Sequence, residues 1–320
     1  MAEIDLSAFA PSGERAAFLD ARFHQELAAS LDHLAEACTG DDPLAASLAE
    51  AAKGLDRDRR VQPLFFKTYF EIAQALLDDD LALARTLSQR LTGLPDRSTM
   101  RQIHAFGDGS AVALEDALKR DGDVALAAVP EKVAKAFSAL LDEGFSMMES
   151  AIPGLHAEIN ETVREVLLAH APSGVDFEFD GASHYQFWGL LMLNPKNHKT
   201  PLACVEVLAH EASHSLLFGL TIEEPLVFNT DDELYESPLR SDPRPMDGIY
   251  HATYVSARMA WAMERMADAL YGDERDWALD AARRDRENFA KGIGTVQRYG
   301  RLSDTGSAIM AAAQEAMASA

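Results

Sequence analysis

One stretch, LAHEASHSLLFGL at 208–220, limits the folds open to this chain more than any other. It lies in a segment that is apolar nearly all round and begins at Thr200 and Pro201, a typical N-cap and first helical residue. A helix that is apolar on every side belongs in a protein core. Histidine and glutamate side chains in such a helix need a polar partner or a metal ion. The sequence therefore predicts a buried helix, ending near Gly219, that carries a functional site.

The same stretch contains the pattern H-E-x-x-H, in which His210 and His214 stand four positions apart. Residues four apart in an α-helix are separated by about 40° around the axis and ~6 Å along it, so both imidazoles can bind one cation. Glu211 lies on the flank, where it could contact a metal-bound water. Glu206 continues the stripe and is predicted either to orient a ligand histidine or to be a first-turn acid.

A catalytic metal needs a further protein ligand, and the third histidine of the extended peptidase motif is absent. We favour His251, which lies in the first turn of a predicted long helix and is flanked by Tyr250 and Tyr254. Tyr254 is a candidate for the layer of residues around the ligands. The acids between the two helices are further candidates: Glu223, Glu224, Asp231, Asp232, Glu233, Glu236, Asp242 and Asp247.

Three arginines lie close in sequence to His251, within SPLRSDPRPMDGIYHATYVSAR. Arg240 and Arg244 precede the histidine, and Arg258 follows it by two helical turns. A guanidinium grips a carboxylate through two parallel hydrogen bonds. These arginines are therefore candidates to bind the distal carboxylate of a metal-chelating cosubstrate such as 2-oxoglutarate. Each could equally be a salt-bridge partner for the surrounding acids.

LAHEASH, followed by SPLRSDPRPMDGIYHATYVSARM, resembles the HExxH-type 2-oxoglutarate-dependent peptide β-hydroxylases. These enzymes act in the biosynthesis of ribosomally synthesised, post-translationally modified peptides. The resemblance covers about residues 181–265 and implies iron(II) ligands at His210, His214 and His251, with 2-oxoglutarate bound near the arginines. Leu239 stands where the family pattern has a tryptophan. The implied reaction is hydroxylation of a side-chain carbon, β by the family pattern, in a precursor peptide.

Two other functions stay open on the same residues. A zinc metallopeptidase would use the H-E-x-x-H helix with Glu211 as general base and a zinc-bound water as nucleophile. A helical interaction protein would retain the histidines as a structural or vestigial metal site. The first predicts peptide hydrolysis without 2-oxoglutarate, and the second predicts a closed four-ligand site.

The rest of the chain predicts a mainly α fold with a small antiparallel β-sheet, an α+β class. Helical periodicity runs through most of 8–170, including a helix over LHAEINETVREVLLAH. VDFEF and HYQFWGLLMLNP are predicted strands, with GAS as the turn between them. We expect a helical domain over 1–172, with a possible role in peptide binding, and a metal-binding catalytic domain over 173–320.

Composition excludes several classes of partner. A net charge of −23 opposes sequence-independent binding to nucleic acid, and a small anion would need local arginines. Cys38 and Cys204 are the only cysteines and lie far apart, so a reducing cytoplasm is the default. No apolar run approaches the ~20 residues of a membrane span, and the first residues lack the pattern of a secretory signal. We expect a cytoplasmic enzyme that has no nucleic-acid or membrane partner.

Overall fold

The computed structural model describes residues 4–38, 40–122, 125–172, 174, 179–240 and 242–319. The fold is the predicted α-dominant α+β class. None of the described helices is long and apolar enough to cross a bilayer. The helices are α1 (Gly13–Ala37), α2 (Asp42–Ala52), α3 (Pro63–Leu77), α4 (Leu81–Thr92), α5 (Val112–Asp121), α6 (Glu131–Ala151), α7 (Pro153–Thr162), α8 (Pro201–Leu220), α9 (Met246–Ala269), α10 (Gly272–Tyr299) and α11 (Asp304–Ala318). The strands are β1 (Gln102–Ala105), β2 (Glu165–Leu168), β3 (Gly181–Ser183), β4 (Leu190–Leu193), β5 (Leu234–Tyr235) and β6 (Arg244–Pro245).

The chain divides into two compact units, each assembled from separate segments. The histidine unit, which contains α8 to α11, comprises Met1–Ala16, Lys135–Asn160 and Lys196–Ala320. The sheet unit, which contains β1 to β4, comprises Ala17–Ala134 and Glu161–Pro195. The domains predicted from the sequence, 1–172 and 173–320, stay a prediction about independent folding.

The sheet unit is built on a four-stranded mixed sheet with the strand order β1-β2-β4-β3. β1, β2 and β4 run parallel, and β3 alone is antiparallel to its neighbour. The expectation of a purely antiparallel sheet is therefore wrong for this sheet and holds only for the small β5–β6 pair. The physical reason is the helical connection of α5 to α7, since a long crossover returns the chain to the same end of the sheet.

Two segments around the sheet differ from their predicted structure. LHAEINETVREVLLAH is helical only to Thr162, and its EVLL forms β2. Periodicity alone cannot assign so short an apolar run, and burial between β1 and β4 makes it a strand. GAS is not a turn but forms β3, with Gly181 opposite Leu193.

The remaining strand predictions in this region have mixed outcomes. HYQFWGLLMLNP contains β4, as predicted, but Tyr185–Phe187 at its start forms a 3₁₀ turn. The predicted strand VDFEF lies, apart from Phe179, outside the described residues.

The core of the sheet unit lies against β2 and β4. All four residues of β4 are buried, as are the last three of β2, which is typical of central parallel strands covered on their faces. Side chains from α3, α5 and the strands form one apolar cluster that includes Leu64, Phe106, Leu114, Ala117, Leu118, Leu167, Phe187, Leu190 and Met192.

The histidine unit is built on α8, α9 and α10. α8 begins as predicted, with the Thr200 hydroxyl accepting a hydrogen bond from Ala203 N at 3.2 Å. α9 packs against both α8 and α10. The contact with α10 is close because Gly292 lacks a side chain there. A Cβ at Gly292 would meet Thr253 Oγ1 and would lie 3.0 Å from Thr253 Cβ.

Two glycines of α10 test this contact. We expect Gly292→Ala to lower the free energy of unfolding by about 1–3 kcal/mol, because the methyl group overpacks the α9–α10 contact. Gly294→Ala, on the same helix with open space around it, should raise it by about 0.5–1 kcal/mol. Urea unfolding of both variants measures the difference. Equal effects of the two substitutions would contradict the predicted contact.

Candidate metal centre

The three predicted metal-binding histidines lie together in the structure. His210 and His214 project from one face of α8, with their Nε2 atoms 3.2 Å apart. His251, from the first turns of α9, lies with its Nδ1 2.9 Å from Nδ1 of His214. The rings of His214 and His251 are stacked, with centroids 5.2 Å apart. The α8–α9 packing thus brings together residues 37 positions apart in sequence.

Burial favours the neutral form of two histidines of this cluster, His214 and His251. It lowers the pKa of His214 well below its usual value, and the positive charges that His210, His251 and Arg240 can carry lower it further. Burial also lowers the pKa of His251, although the nearby carboxylate of Asp247 acts in the opposite direction. Neutral imidazole is the form that donates a lone pair to a metal ion. The favoured protonation state of His214 and His251 is therefore the one that metal binding requires.

The hydrogen-bonding groups around His210 indicate which of its nitrogens holds the lone pair. Its Nδ1 lies 3.1 Å from the sulfur of Met259. A thioether sulfur can only accept a hydrogen bond, so the proton of neutral His210 belongs on Nδ1. Its Nε2 then presents a lone pair toward Nε2 of His214. Fixing a ligand's tautomer through its other ring nitrogen is the usual arrangement at metal sites.

The spacing of the nitrogens fits a metal ion for two of the three rings. Bonds of about 2.0–2.1 Å to one ion place two ligand nitrogens about 3.0–3.4 Å apart, which matches the His210–His214 pair. His251 instead contacts the opposite edge of the His214 ring, through Nδ1. Among the described residues, no group of three or more His, Cys, Asp or Glu side chains is arranged around one ion position. A third nitrogen donor from His251 would require a ring to turn.

Glu211 borders the histidine pair. Its Oε1 lies 3.9 Å from Nε2 of His210, and the side chain is buried. Phe218 closes another side, with its ring centroid 5.5 Å from that of His251. Glu211 and Phe218 thus flank the cluster, which remains partly open at His210, whose side chain is 23% exposed.

Two of the three predicted arginines lie on the approach to α9. Arg240 is exposed, and its charge acts on His214, which places it near the histidines. Arg244 lies in β6, where its guanidinium pairs with Asp242 at 2.8 Å. The segment before α9 therefore offers two partly or fully exposed cations, of which Arg240 lies near the histidines.

Arg258 lies instead in a buried ion network with Glu158 and Arg15. Its guanidinium pairs with Glu158, donates to the Phe9 carbonyl at 2.8 Å and reaches the Ser213 hydroxyl at 3.3 Å. Arg15 binds the other carboxylate oxygen of Glu158 at 2.9 Å. The described contacts engage Arg258 within the protein, which favours a structural role over the predicted contact with a cosubstrate.

The two residues predicted to surround the ligands also face other partners. Tyr254 is buried edge-to-face against Phe9, on the side of the Glu158 network. Glu206 lies 4.0 Å from the guanidinium of Arg284 in α10, and its charge acts on Asp285. Glu206 therefore links α8 to α10, and no described contact joins it or Tyr254 to the histidines.

Three of the eight acidic alternatives to His251 bind elsewhere. Glu224 accepts from Thr305 N at 3.0 Å, Glu233 pairs with Arg301 at 2.9 Å, and Asp242 pairs with Arg244. Asp247 differs from these three, since its carboxylate lies 4.0 Å from Nε2 of His251. Of these acids, Asp247 is the one placed to orient the third histidine.

Sequence reasoning missed Met259 and Glu158. Met259 stands eight positions after His251, on the same face of α9, so helical spacing could have identified it. Glu158 gives no such signal, because it is one acid among 52 acidic residues in the chain. Its role follows only from the packing that buries it beside two arginines.

Comparison with known proteins adds no assignment. No protein-family model matches the chain, and no curated protein matches its sequence.

The buried network predicts a large effect of one neutral substitution. Glu158→Gln should lower the free energy of unfolding by about 3–5 kcal/mol, because Arg15 and Arg258 lose their shared counter-charge while remaining buried. Glu287→Gln, the same change in an exposed pair with Arg283, should cost less than about 0.5 kcal/mol. Urea unfolding measures both, and a small effect at Glu158 would show that the network contributes little.

Asp285 of α10 predicts a pH dependence of stability. It is 4% exposed, its Oδ2 has no hydrogen-bond partner, and burial with the charge of Glu206 raises its pKa to about 8. Because the folded pKa exceeds the unfolded one, this contribution to stability is full below the unfolded pKa and is lost as pH rises through about 8.

Replacement of the Asp285 carboxyl by an amide should remove this loss of folding stability at higher pH. Asp285→Asn should become more stable relative to the unaltered protein as pH increases from about 5 to about 8, by a few kcal/mol at most. Asp280→Asn, at an exposed position of the same helix, controls for the change in total charge. A difference between Asp285→Asn and the unaltered protein that stays constant with pH would contradict the assignment.

Proposed function

We propose that this chain is an iron(II)- and 2-oxoglutarate-dependent oxygenase that hydroxylates a side-chain carbon, β by the family pattern, in a ribosomally made peptide. The observation that carries the proposal is the packing of His251 from α9 against the H-E-x-x-H pair of α8. We infer that this third imidazole, rather than a loop carboxylate, would complete the set of nitrogen donors once a ring turns toward the ion. Sites of this class hold iron through three protein ligands and keep the remaining positions open.

His210, His214 and His251 would hold the metal, and the lowered pKa values of His214 and His251 support this role. Iron(II) bound there with 2-oxoglutarate supplies the oxidising chemistry that converts a C–H bond to C–OH. In the overall reaction, one atom of O₂ enters the peptide C–H bond and the other enters succinate, while CO₂ leaves. The peptide, 2-oxoglutarate and O₂ together account for every atom and electron of the products.

The other residues of the site have roles that follow from their positions. Arg240, whose charge acts on His214, and Arg244 are our candidates to bind the distal carboxylate, since Arg258 is buried and engaged with Glu158. Glu211 borders His210, where its carboxylate could position the target residue or a water. Met259 holds the His210 tautomer, and Phe218 excludes water from one side of the rings. The two free cysteines are compatible with the proposed cytoplasmic location.

A zinc metallopeptidase is the second candidate. Glu211 favours it, because a buried carboxylate beside the histidine pair is where a general base would act on a metal-bound water. This function requires no cation for a second carboxylate, and it leaves the arginines of the approach without a role.

The experiment that separates these functions begins with metal content. Purified protein is reconstituted with iron(II) without oxygen, and elemental analysis measures bound iron and zinc. Oxygen, 2-oxoglutarate and candidate peptides encoded near the gene are then added, and succinate and peptide mass are measured. We expect succinate formation and a gain of one oxygen atom in the peptide.

Single substitutions identify the residues responsible. His251→Ala should abolish iron retention and succinate formation, whereas His33→Ala, at an exposed position, should leave both unchanged. Peptide cleavage that needs zinc, ignores 2-oxoglutarate and is lost in Glu211→Gln would establish the peptidase instead. Tight zinc binding without succinate from any of the peptides would reject the oxygenase.

A further inference from the structure

Arginines collect at the start of the parallel strands in the sheet unit. The first paired residues of β1 and β2 are Gln102 and Glu165, so Arg101 and Arg164 stand immediately before that pair. Gln102 N donates to the Arg164 carbonyl at 2.9 Å. Neighbouring strands lie about 4.8 Å apart, which places these two backbone positions side by side.

Asp20 holds two more arginines at the same place. Its Oδ1 accepts from Arg97 Nη1 at 2.9 Å and from Trp188 Nε1 at 2.9 Å, and its Oδ2 accepts from Arg60 Nε at 3.1 Å. The Asp20 side chain is 3% exposed, so this carboxylate is a buried anchor shared by two cations. Trp188 is itself fixed by stacking on Phe23, with ring centroids 4.1 Å apart.

Backbone contacts bring Arg164 to this anchor. Arg164 N donates to the carbonyl of Gly189, the residue after Trp188, at 2.8 Å. Arg97 N likewise donates to the Arg60 carbonyl at 2.8 Å. Burial and the positive charge of Arg97 together lower the pKa of Arg164, as expected for two guanidinium groups close to one another.

The local charge is positive in a strongly acidic chain. Arg60, Arg97 and Arg164 are compensated in the described contacts by Asp20 and by Glu161, which accepts from Arg164 at 3.2 Å. The chain as a whole has 52 acidic and 29 basic residues, so a surplus of arginine at one place opposes the overall trend. Histidine adds no charge there, because burial lowers the pKa of His24 to about 4.

Two of these guanidinium groups retain unused donors. In the hydrogen bonds among the described residues, the Arg97 side chain uses only Nη1 and the Arg164 side chain uses only Nη2, while Nε of Arg164 is buried without a partner there. Their side chains are 12% and 17% exposed, so water is partly removed but access remains. Partly desolvated guanidinium groups with free N–H donors bind oxyanions through paired, charge-assisted hydrogen bonds.

We propose that Arg97 and Arg164 form a binding site for a small oxyanion, a carboxylate or a phosphate group. Asp20 and Trp188 act as positioning residues that hold Arg97 in place. The anion neutralises the surplus charge and satisfies the donors left over by Asp20 and Glu161. This site lies wholly in the sheet unit and is independent of the proposed oxygenase activity.

Calorimetric titration of the full chain, without added metal and at low ionic strength, tests the site. Inorganic phosphate and succinate are the two probes, and binding of one or both identifies the ligand class. Arg164→Gln should weaken that binding at least tenfold. Arg120→Gln, the same change in an exposed pair with Glu71, should leave it unchanged. No binding of either probe, or equal binding by Arg164→Gln and the unaltered protein, overturns the proposal.

A second measurement needs no substitution, in case Arg164→Gln does not fold. Phenylglyoxal modifies accessible arginines, and peptide mass spectrometry measures the rate at each position. The bound probe should slow modification of Arg97 and Arg164 at least threefold without changing that of Arg120. Unchanged rates at Arg97 and Arg164 overturn the proposal.

Discussion

The packing of α9 against α8 is the contact on which the candidate site depends. It packs three imidazoles against one another, and burial lowers the pKa of His214 and His251, which disfavours the charged form that would otherwise separate them. Neutral rings can share hydrogen bonds at 2.9–3.2 Å, whereas three imidazolium ions at those distances would repel. A low-dielectric contact between two helices thus produces the proximity of the rings and, at His214 and His251, the neutral form that the proposed metal site requires.

A second buried network also stabilises the contact between α8 and α9. Glu158 of α7 pairs with Arg258 of α9 and with Arg15 at the start of α1, and Ser12 N donates to it at 3.1 Å. Arg258 also reaches Ser213, the residue before His214. The N-terminal segment is thereby tied to the helices that carry the histidines. Arg258, which the sequence offered as a candidate to bind a cosubstrate, thus contacts the residues that hold α8 and α9 together.

Charge distribution gives the two units different chemical capacities. The overall acidity of the chain disfavours anions at a distance, so an anionic ligand must be bound by local groups that override the general field. Arg240 is the arginine in position to do so near the histidines, and Arg97 and Arg164 are in position to do so beside the sheet. Partial burial strengthens the pair beside the sheet, because removal of water increases the attraction between a guanidinium and an oxyanion.

The sequence by itself determined the helices and the chemistry of the central one. Thr200–Pro201 marked the start of α8, its all-round apolar surface required burial, and the spacing of His210 and His214 placed both rings on one face. It also indicated His251 as their neighbour, through its position at the start of α9. These features are local, since helical geometry and capping depend on residues only a few positions apart.

Tertiary structure decided what depends on contacts distant in sequence. EVLL became a strand because β1 and β4 flank it, and GAS became β3 because β4 offered an edge. Burial beside Glu158 gave Arg258 its partners, and Arg284 of α10 lies close to Glu206. The same local sequence pattern is compatible with a helix or a strand, and with a ligand-binding or a structural residue. Burial and the tertiary contacts of the residue determine which of these forms.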